Sequence, residues 1–372
     1  MSFEPRNVCI TGGAGFIGAN FVRYWLSRSR AGRVVVLDAL TYAGNLESLA
    51  GLERDPRYVF VRGDICDEGA VRELLERYAI DTLVHFAAES HVDRSILGPD
   101  DFIRTNIVGT HSLLKAAKAV WLDGRGERAL PHRFHHVSTD EVYGSLGPAD
   151  APFCESTPYA PNSPYSASKA ASDHLVRAYH ETYGLSTTVT NCSNNYGPYQ
   201  FPEKLIPLTI VNILLGKPLP VYGDGLQVRD WLHVEDHCAA IAQALTQGSS
   251  GEVYNIGGNS ETTNIEIVRT LCALVDEHVT ENAELRGAFA AAPAANGKRS
   301  VDLISHVRDR PGHDRRYAID YAKAAKELRY APGRDLTRGL KATLQWYVDN
   351  TGWWQALLGR DYSAWVQKNY SR

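Results

Sequence analysis

NVCITGGAGFIGANFVRYWL, residues 7–26, decides how this chain folds. Asn7 to Thr11 form a short apolar run that reads as a buried strand. Gly12, Gly15 and Gly18 follow in G-x-x-G-x-x-G spacing, and Phe16, Ile17, Phe21, Val22, Trp25 and Leu26 recur at helical spacing. A second run, RVVVL at 33–37, ends at Asp38. Strand, glycine turn, helix and strand make one βαβ unit with a right-handed crossover. Such a turn lets the backbone approach a pyrophosphate and aims the helix N-terminus at it. A carboxylate at Asp38 can accept from a ribose diol and would repel a 2′-phosphate, so the expectation is NAD rather than NADP. Asp64 and Ile65, after the next strand, are placed to grip an adenine ring.

The alternation continues outward. YVFVR at 58–62, TLVHF at 82–86, RFHHV at 133–137 and STTVT at 186–190 read as strands. Helical patterns lie between them over 68–78, 105–120 and 165–183. This predicts an α/β fold: a Rossmann-type doubly wound parallel sheet with a smaller C-terminal substrate-binding domain. The expected division is an NAD-binding domain over 1–190, with segments around 230–258 returning to it, and a nucleotide-sugar domain made mainly of 191–372. The Ala-rich stretch 283–300 reads as a surface insertion, and 336–354 as one amphipathic helix with Leu340, Leu344 and Tyr347 on its apolar face.

Composition narrows the class without naming a function. With 372 residues, 44% hydrophobic and 22% charged, the chain lies near the globular average, which excludes disordered and fibrous classes. A net charge of −4 argues against a broad nucleic-acid surface. The cysteines, Cys9, Cys66, Cys154, Cys192, Cys238 and Cys272, form no C-x-x-C pair and read as small apolar residues of a reducing compartment. No metal-ligand spacing is visible, so no metal is expected. Without a signal-peptide pattern or a membrane-length apolar run, the expected location is cytoplasmic.

Tyr165 and Lys169 are four residues apart on a predicted helix and so share a face. A nearby ammonium stabilises a phenolate, and the pair can then take a proton from an alcohol while hydride leaves. His135 and His136, on a predicted strand, read as structural.

TGGAGFIG at 11–18, HFAAESHVDRS at 85–95 and YSASK at 165–169 together resemble the extended short-chain dehydrogenase/reductase family. That resemblance implies NAD held by Gly12, Gly15, Phe16, Ile17, Gly18, Asp38, Thr41, Asp64, Ile65, Ala87, Thr105, Tyr165, Lys169 and Asn195. It also implies a nucleotide-diphospho-sugar substrate and a homodimer. The helices around 105–120 and 165–183, with Leu113, Leu114, Leu175 and Val176, would form the dimer interface.

Ser138-Thr139-Asp140-Glu141 then discriminates within the family. Epimerases of the family need only a hydroxyl there, whereas two adjacent carboxyl groups suit an added acid–base step. With STDEVYG, TNCSNNYGPYQFPEKLIPL, RDWLHVEDH, YNIGG and RDRPGHDRRYAID, the chain resembles the branch that dehydrates dTDP-glucose to the 4-keto-6-deoxy sugar. The resemblance implies Tyr165 as base at the 4-hydroxyl, with Thr139 holding that oxygen. Glu141 would take the C5 proton and Asp140 protonate the C6 hydroxyl, while NAD takes hydride from C4 and returns it at C6. Substrate contacts are implied for Ser90, Asn194, Lys204, Leu205, Arg229, Asn264, Arg310 and His313, with Pro220 and Tyr222 around the thymine. A related dehydratase for another nucleotide sugar, or a 4-epimerase, is the alternative. The 143–159 loop is shorter than is common in this branch, 283–300 is longer, and Ala39 stands where many members have Lys.

Overall fold

The computed structural model describes residues 3–30, 32–123 and 131–359. The strands are β1 (Asn7–Thr11), β2 (Arg33–Asp38), β3 (Tyr58–Arg62), β4 (Thr82–His85), β5 (Arg133–Thr139), β6 (Thr187–Cys192), β7 (Asn194–Tyr196), β8 (Leu219–Tyr222), β9 (Val228–His233), β10 (Val253–Ile256), β11 (Glu261–Thr263) and β12 (Ile304–Val307). The helices are α1 (Phe16–Arg28), α2 (Glu68–Arg77), α3 (Val92–Leu97), α4 (Asp100–Phe102), α5 (Thr110–Trp121), α6 (Pro164–Tyr183), α7 (Leu205–Leu214), α8 (Val234–Gln247), α9 (Asn264–Glu281), α10 (Ala283–Ala288), α11 (Ala322–Leu328), α12 (Leu336–Asp349) and α13 (Thr351–Leu357).

A seven-stranded sheet runs in the order β10-β6-β5-β4-β1-β2-β3. Every pairing in it is parallel, with Val8 opposite Val34 on one side and Thr82 on the other. Parallel strands covered on both faces must be apolar throughout, which is what the near-continuous Val, Ile and Leu runs supply. One face packs α1 and α8 through Phe21, Val22, Trp25, Cys238 and Ile241. The other packs α2, α5 and α6 through Leu75, Leu113, Leu114 and Val176. Strand order reverses between β1 and β4, so a crevice opens there at the carboxyl ends of the strands. The sheet is the doubly wound one expected.

A separate apolar core gathers residues beyond 195: Ile206, Ile210 and Ile213 of α7, Val268 and Leu271 of α9, and Leu340, Leu344 and Tyr347 of α12. Small sheets β11-β9-β7 and β12-β8 border it.

Several local expectations change. Leu113, Leu114 and Val176 are fully buried against the sheet, so they belong to the core and cannot form an exposed interface. The helix expected from 105 starts at Asp100 and passes through a π-helical turn, Ile103–Gly109, before α5. Asn106 lies within the distortion. Its amide accepts from Glu89 N and donates to Glu89 O, both at 2.9 Å, so it is pinned to the segment after β4. The helix expected over 336–354 is two, because α12 ends at Asp349 and α13 begins at Thr351, with Asn350 between them.

The 283–300 segment is largely exposed, as expected, but is anchored by a few buried residues. α10 occupies its start, Phe289 and Ala292 are buried in the core of α7 and α9, and Pro293 is buried beside them. Spacing hid this, because a few anchors separated by short turns leave no period. Phe289→Ala should therefore lower the unfolding free energy by about 3 kcal/mol in urea denaturation, as for other buried phenylalanines. A loss below about 0.5 kcal/mol, typical of surface positions, would show the segment to be peripheral.

Candidate active site

The glycine turn shapes one end of the crevice. Gly12 has φ of +68°, and a Cβ on it would meet Ala87 N at 2.6 Å; one on Gly18 would lie 2.2 Å from the Gly12 carbonyl. Only glycine allows turn, helix and the segment after β4 to pack this closely. Gly15, the residue before α1, offers no side-chain cap, so the leading N–H groups of a 13-residue helix stay open to an anion. Asp38 closes the far side. Its carboxylate accepts from Ala14 N at 2.9 Å and Leu40 N at 2.8 Å, while burial raises its pKa.

The crevice is a cavity of about 580 Å³, lined by all the residues expected around a dinucleotide. Gly12, Gly15, Phe16, Ile17, Gly18, Asp38 and Thr41 lie on its wall. So do Asp64, Ile65, Ala87, Thr105, Tyr165, Lys169 and Asn195. A backbone cradle that a single Cβ would fill, a helix N-terminus and a carboxylate on the ribose side suit an adenine dinucleotide. Ser90, Thr139, Asp140, Glu141, Asn194 and Lys204 line the same cavity, with Lys204 Nζ donating to Ser90 O at 3.1 Å.

β5 is buried from Arg133 through Thr139 and delivers the acidic pair to this wall. Thr139 caps the following 3₁₀ turn by accepting from Glu141 N at 3.3 Å. Asp140 is 1% exposed, and its Oδ2 has no hydrogen-bond partner among the described residues. Burial, then the neighbouring Glu141, push its pKa well above the carboxylate range. Glu141 is also raised by burial, but Arg310, Arg229 and Lys204 pull it back. Two carboxyl groups side by side are thus set apart, the deeper one as an acid.

Tyr165 and Lys169 meet the same wall from α6, whose start is fixed by a Ser163–Ser166 capping box and Pro164. Among the described contacts, Lys169 makes no direct hydrogen bond to the Tyr165 phenol, so its charge would act on the phenol from behind. Its ammonium donates to Val137 O at 2.8 Å and lies 3.2 Å from His136 Nε2. Burial, with Glu141 next, raises Tyr165 well above an ordinary phenol, and a hydrogen bond with Thr139 works the other way.

Other expected contacts stand off the cavity wall. Arg229 is buried, bonded to Asp314 O at 2.9 Å and stacked 4.2 Å from the Tyr317 ring. Tyr222 Oη and Arg310 Nη1 both donate to Asp93, at 3.0 and 2.8 Å. His313 lies edge-on to Tyr222 and contacts Asp309. Pro220 sits in β8, Asn264 opens α9, and Leu205 packs into the core around α7. The charges of Arg229 and Arg310 still act on Glu141, lowering its pKa against the effect of burial.

A cluster beside the cavity left no mark in the spacing of the sequence. Arg94 of α3 pairs with Glu203 at 3.1 Å and lies 3.9 Å over the Tyr42 ring, joining three distant segments. No local spacing connects them; only the HFAAESHVDRS stretch and the neighbour Lys204 hinted at two of the three.

With this geometry in place, comparison with known proteins is informative. The family model described as GDP-mannose 4,6 dehydratase matches residues 9–343. The dTDP-glucose 4,6-dehydratase of Neisseria meningitidis is 55% identical over 96% of this chain and 97% of that one. The chain belongs to the dTDP-glucose 4,6-dehydratase family. The Streptomyces venezuelae member, solved with NAD and TYD bound, is 46% identical with a TM-score of 0.83, over 94% of this chain and 99% of that one. The Bacillus anthracis member, solved with NAD, is 44% identical with a TM-score of 0.81, over 95% and 99%.

The buried Asp140 has a thermodynamic signature. Its folded pKa lies above the unfolded value of about 3.9, so the folded state holds the proton longer and loses stability as pH rises through that window. Asp140→Asn should therefore raise Tm at pH 7, with the gain shrinking toward pH 4. A Tm difference that does not change with pH would show that Asp140 ionises freely.

Proposed function

We propose that the protein converts dTDP-glucose to dTDP-4-keto-6-deoxyglucose with loss of one water across C5 and C6. The observation that carries this reading is Asp140 beside Glu141 on the wall that also holds Tyr165 and Lys169. A sugar oxidised only at C4 needs one acid–base group; eliminating water next to the ketone needs two more.

The residues along the Gly12–Gly18 turn, with Asp38, Thr41, Asp64, Ile65, Ala87, Thr105 and Asn195, would hold NAD. When bound, NAD would accept hydride from C4 and give it back at C6, and the positive charge of its oxidised ring would favour the Tyr165 phenolate. Tyr165 takes the 4-hydroxyl proton, and the Thr139 hydroxyl holds the oxygen left behind. The resulting ketone acidifies C5–H, which Glu141 removes; the cations near it favour its ionised form. Asp140, kept protonated by burial, gives its proton to the C6 hydroxyl, which leaves as water. Glu141 then returns its proton to C5; the hydride taken at C4 is returned at C6, so the cycle is redox-neutral, and the proton gained by Tyr165 and the one lost by Asp140 balance through solvent. Lys204, Asn194 and Ser90 face the substrate end of the cavity, and Arg229 and Arg310 supply cations suited to a diphosphate. Pro220, Tyr222, Asn264 and His313 surround the nucleoside in this reading.

The same proposal keeps the division near residue 190: β10 joins the large sheet through β6, while α7, α9 and α12 share a core of their own. It also places the protein in the cytoplasm as a homodimer. No helix among the described residues is long and apolar enough to cross a membrane. Ile103, Val108 and Tyr183 leave apolar surface at the α5–α6 side, each close to half exposed.

Turnover with dTDP-, UDP- and GDP-glucose tests the reading. The 4-keto-6-deoxy product should form with dTDP-glucose; formation of dTDP-galactose instead would favour epimerisation, and preference for another nucleotide would change the substrate. Glu141→Gln should cut water loss by about 10²–10⁴-fold and abolish solvent-deuterium entry at C5, while C4 oxidation, read as single-turnover absorbance of the reduced cofactor, survives in part. Equal loss of both half-reactions would reject the assignment to Glu141.

A further inference from the structure

A buried polar cluster lies behind Lys169, on the side away from the cavity, and the mechanism above does not use it. Asp173 is its centre. It follows Lys169 by one helical turn on α6 and is 5% exposed. His136 Nε2 lies 3.2 Å from Lys169 Nζ and 3.2 Å from Asp173 Oδ1. The other Asp173 oxygen accepts from Ser138 Oγ at 2.8 Å and from Tyr159 Oη at 3.0 Å. Ser138 directly precedes Thr139, Asp140 and Glu141, so one carboxylate touches the support of both halves of the site.

We propose that Asp173 is a positioning residue: it is the buried counter-charge that holds the Lys169 ammonium in place behind Tyr165. The inference rests on the reading of Tyr165 and Lys169 given above.

The surroundings leave Lys169 few other sources of negative charge. Facing the pair are His85 of β4, His136 of β5, Cys192 of β6, Tyr143 and Tyr159 of the loop after β5, and Tyr165 and His174 of α6. Burial holds His85 and His136 neutral. Burial raises Cys192, Tyr143, Tyr159 and, without a cofactor's positive charge in the cavity, Tyr165, which favours their protonated forms. His174 lies at the exposed edge, against the Tyr159 ring. Asp173 is therefore the carboxylate that answers the ammonium. Burial brings Lys169 down to about 8, against the pull of Asp173. Burial raises Asp173 to about 6, against Lys169, Ser138 and Tyr159. Between those two values the charged pair is the stable state. With the ammonium charged, His136 Nε2 accepts from it, because one ring nitrogen cannot also donate to Asp173.

Asp173→Asn keeps the shape and removes the charge. Lys169 should then lose its proton at lower pH, and the alkaline limb of kcat/KM should move down by about one to three units, the usual reach of one opposite charge. Asp173→Glu should move it part of the way back. A second readout needs no turnover. The unpaired ammonium in Asp173→Asn should lower Tm at pH 7, and Lys169→Met/Asp173→Asn, lacking both charges, should recover much of that loss. In the Lys169→Met background, adding Asp173→Asn should cost no further C4 oxidation. If Asp173→Asn does not fold but the double variant does, the counter-charge role stands. If neither folds, or the limb stays in place while Lys169→Met is strongly impaired, Asp173 is a structural residue only and the proposal falls alone. Full turnover in Lys169→Met would overturn both this proposal and the Tyr165–Lys169 reading on which it rests.

Discussion

An ionised carboxylate sealed in protein without a partner costs several kcal/mol, and the end of β5 is built on that penalty. Asp140 is buried beside a second carboxyl group, so keeping its proton is the cheaper state. Glu141 has three cations bearing on it, which reduces the cost of its charge. The two carboxyl groups therefore differ in acidity before any substrate arrives. The asymmetry depends on depth: β5 runs through the middle of the sheet, and the residues that follow it emerge into the crevice without reaching bulk water. It depends equally on the second core, because Lys204, Arg229 and Arg310 come from segments held there or bordering it.

The rest of the site is arranged around the same strand ends. The glycine turn after β1 can pack against Ala87 only because no side chain intervenes at Gly12. That contact brings the segment after β4 to the cavity wall, where Asn106 then fixes it from the π-helical turn. Asn106 also donates to Ser168 Oγ at 2.8 Å, and its carbonyl accepts from Ser172 Oγ at 2.6 Å. Both serines belong to α6, the helix of Tyr165 and Lys169. A distortion in one helix thus registers the cofactor side of the crevice against the proton-transfer side, which is a common use of π-helical turns at functional sites.

Legibility in the sequence followed the range of the interactions. β1, the glycine turn, α1, β2 and Asp38 were readable because a strand, a tight turn and an amphipathic helix each leave a local period. Tyr165 and Lys169 were readable from helical spacing, and Asp173 lies one further turn along, where the same rule could have found it. Arg94, Glu203 and Tyr42 meet only through the fold and leave no period. Phe289 and Ala292 are anchors within short turns, so the Ala-rich stretch looked featureless although part of it is core. The bond from Lys169 to Val137 O was also beyond reach, since it depends on how deeply α6 packs on β5.

Asp140, Glu141, Lys169 and Asp173 are all held against their preference for water, and each would be more stable hydrated. Three apolar cores, around α1 and α8, around α2, α5 and α6, and around α7, α9 and α12, provide the burial that offsets this. The near-neutral total charge conceals the arrangement. Its functional part is a few cations and carboxyls whose positions, not their number, determine the chemistry. In the apolar surroundings of β5 each such group raises or lowers its neighbours strongly, whereas on the surface the same charges would be screened within about 10 Å. Asp140 and Glu141 follow β5 in the 3₁₀ turn that Thr139 caps, so the depth of the strand and the geometry of the turn together bring both carboxyl groups to one cavity. The fold supplies depth and register together, and the chemistry requires both.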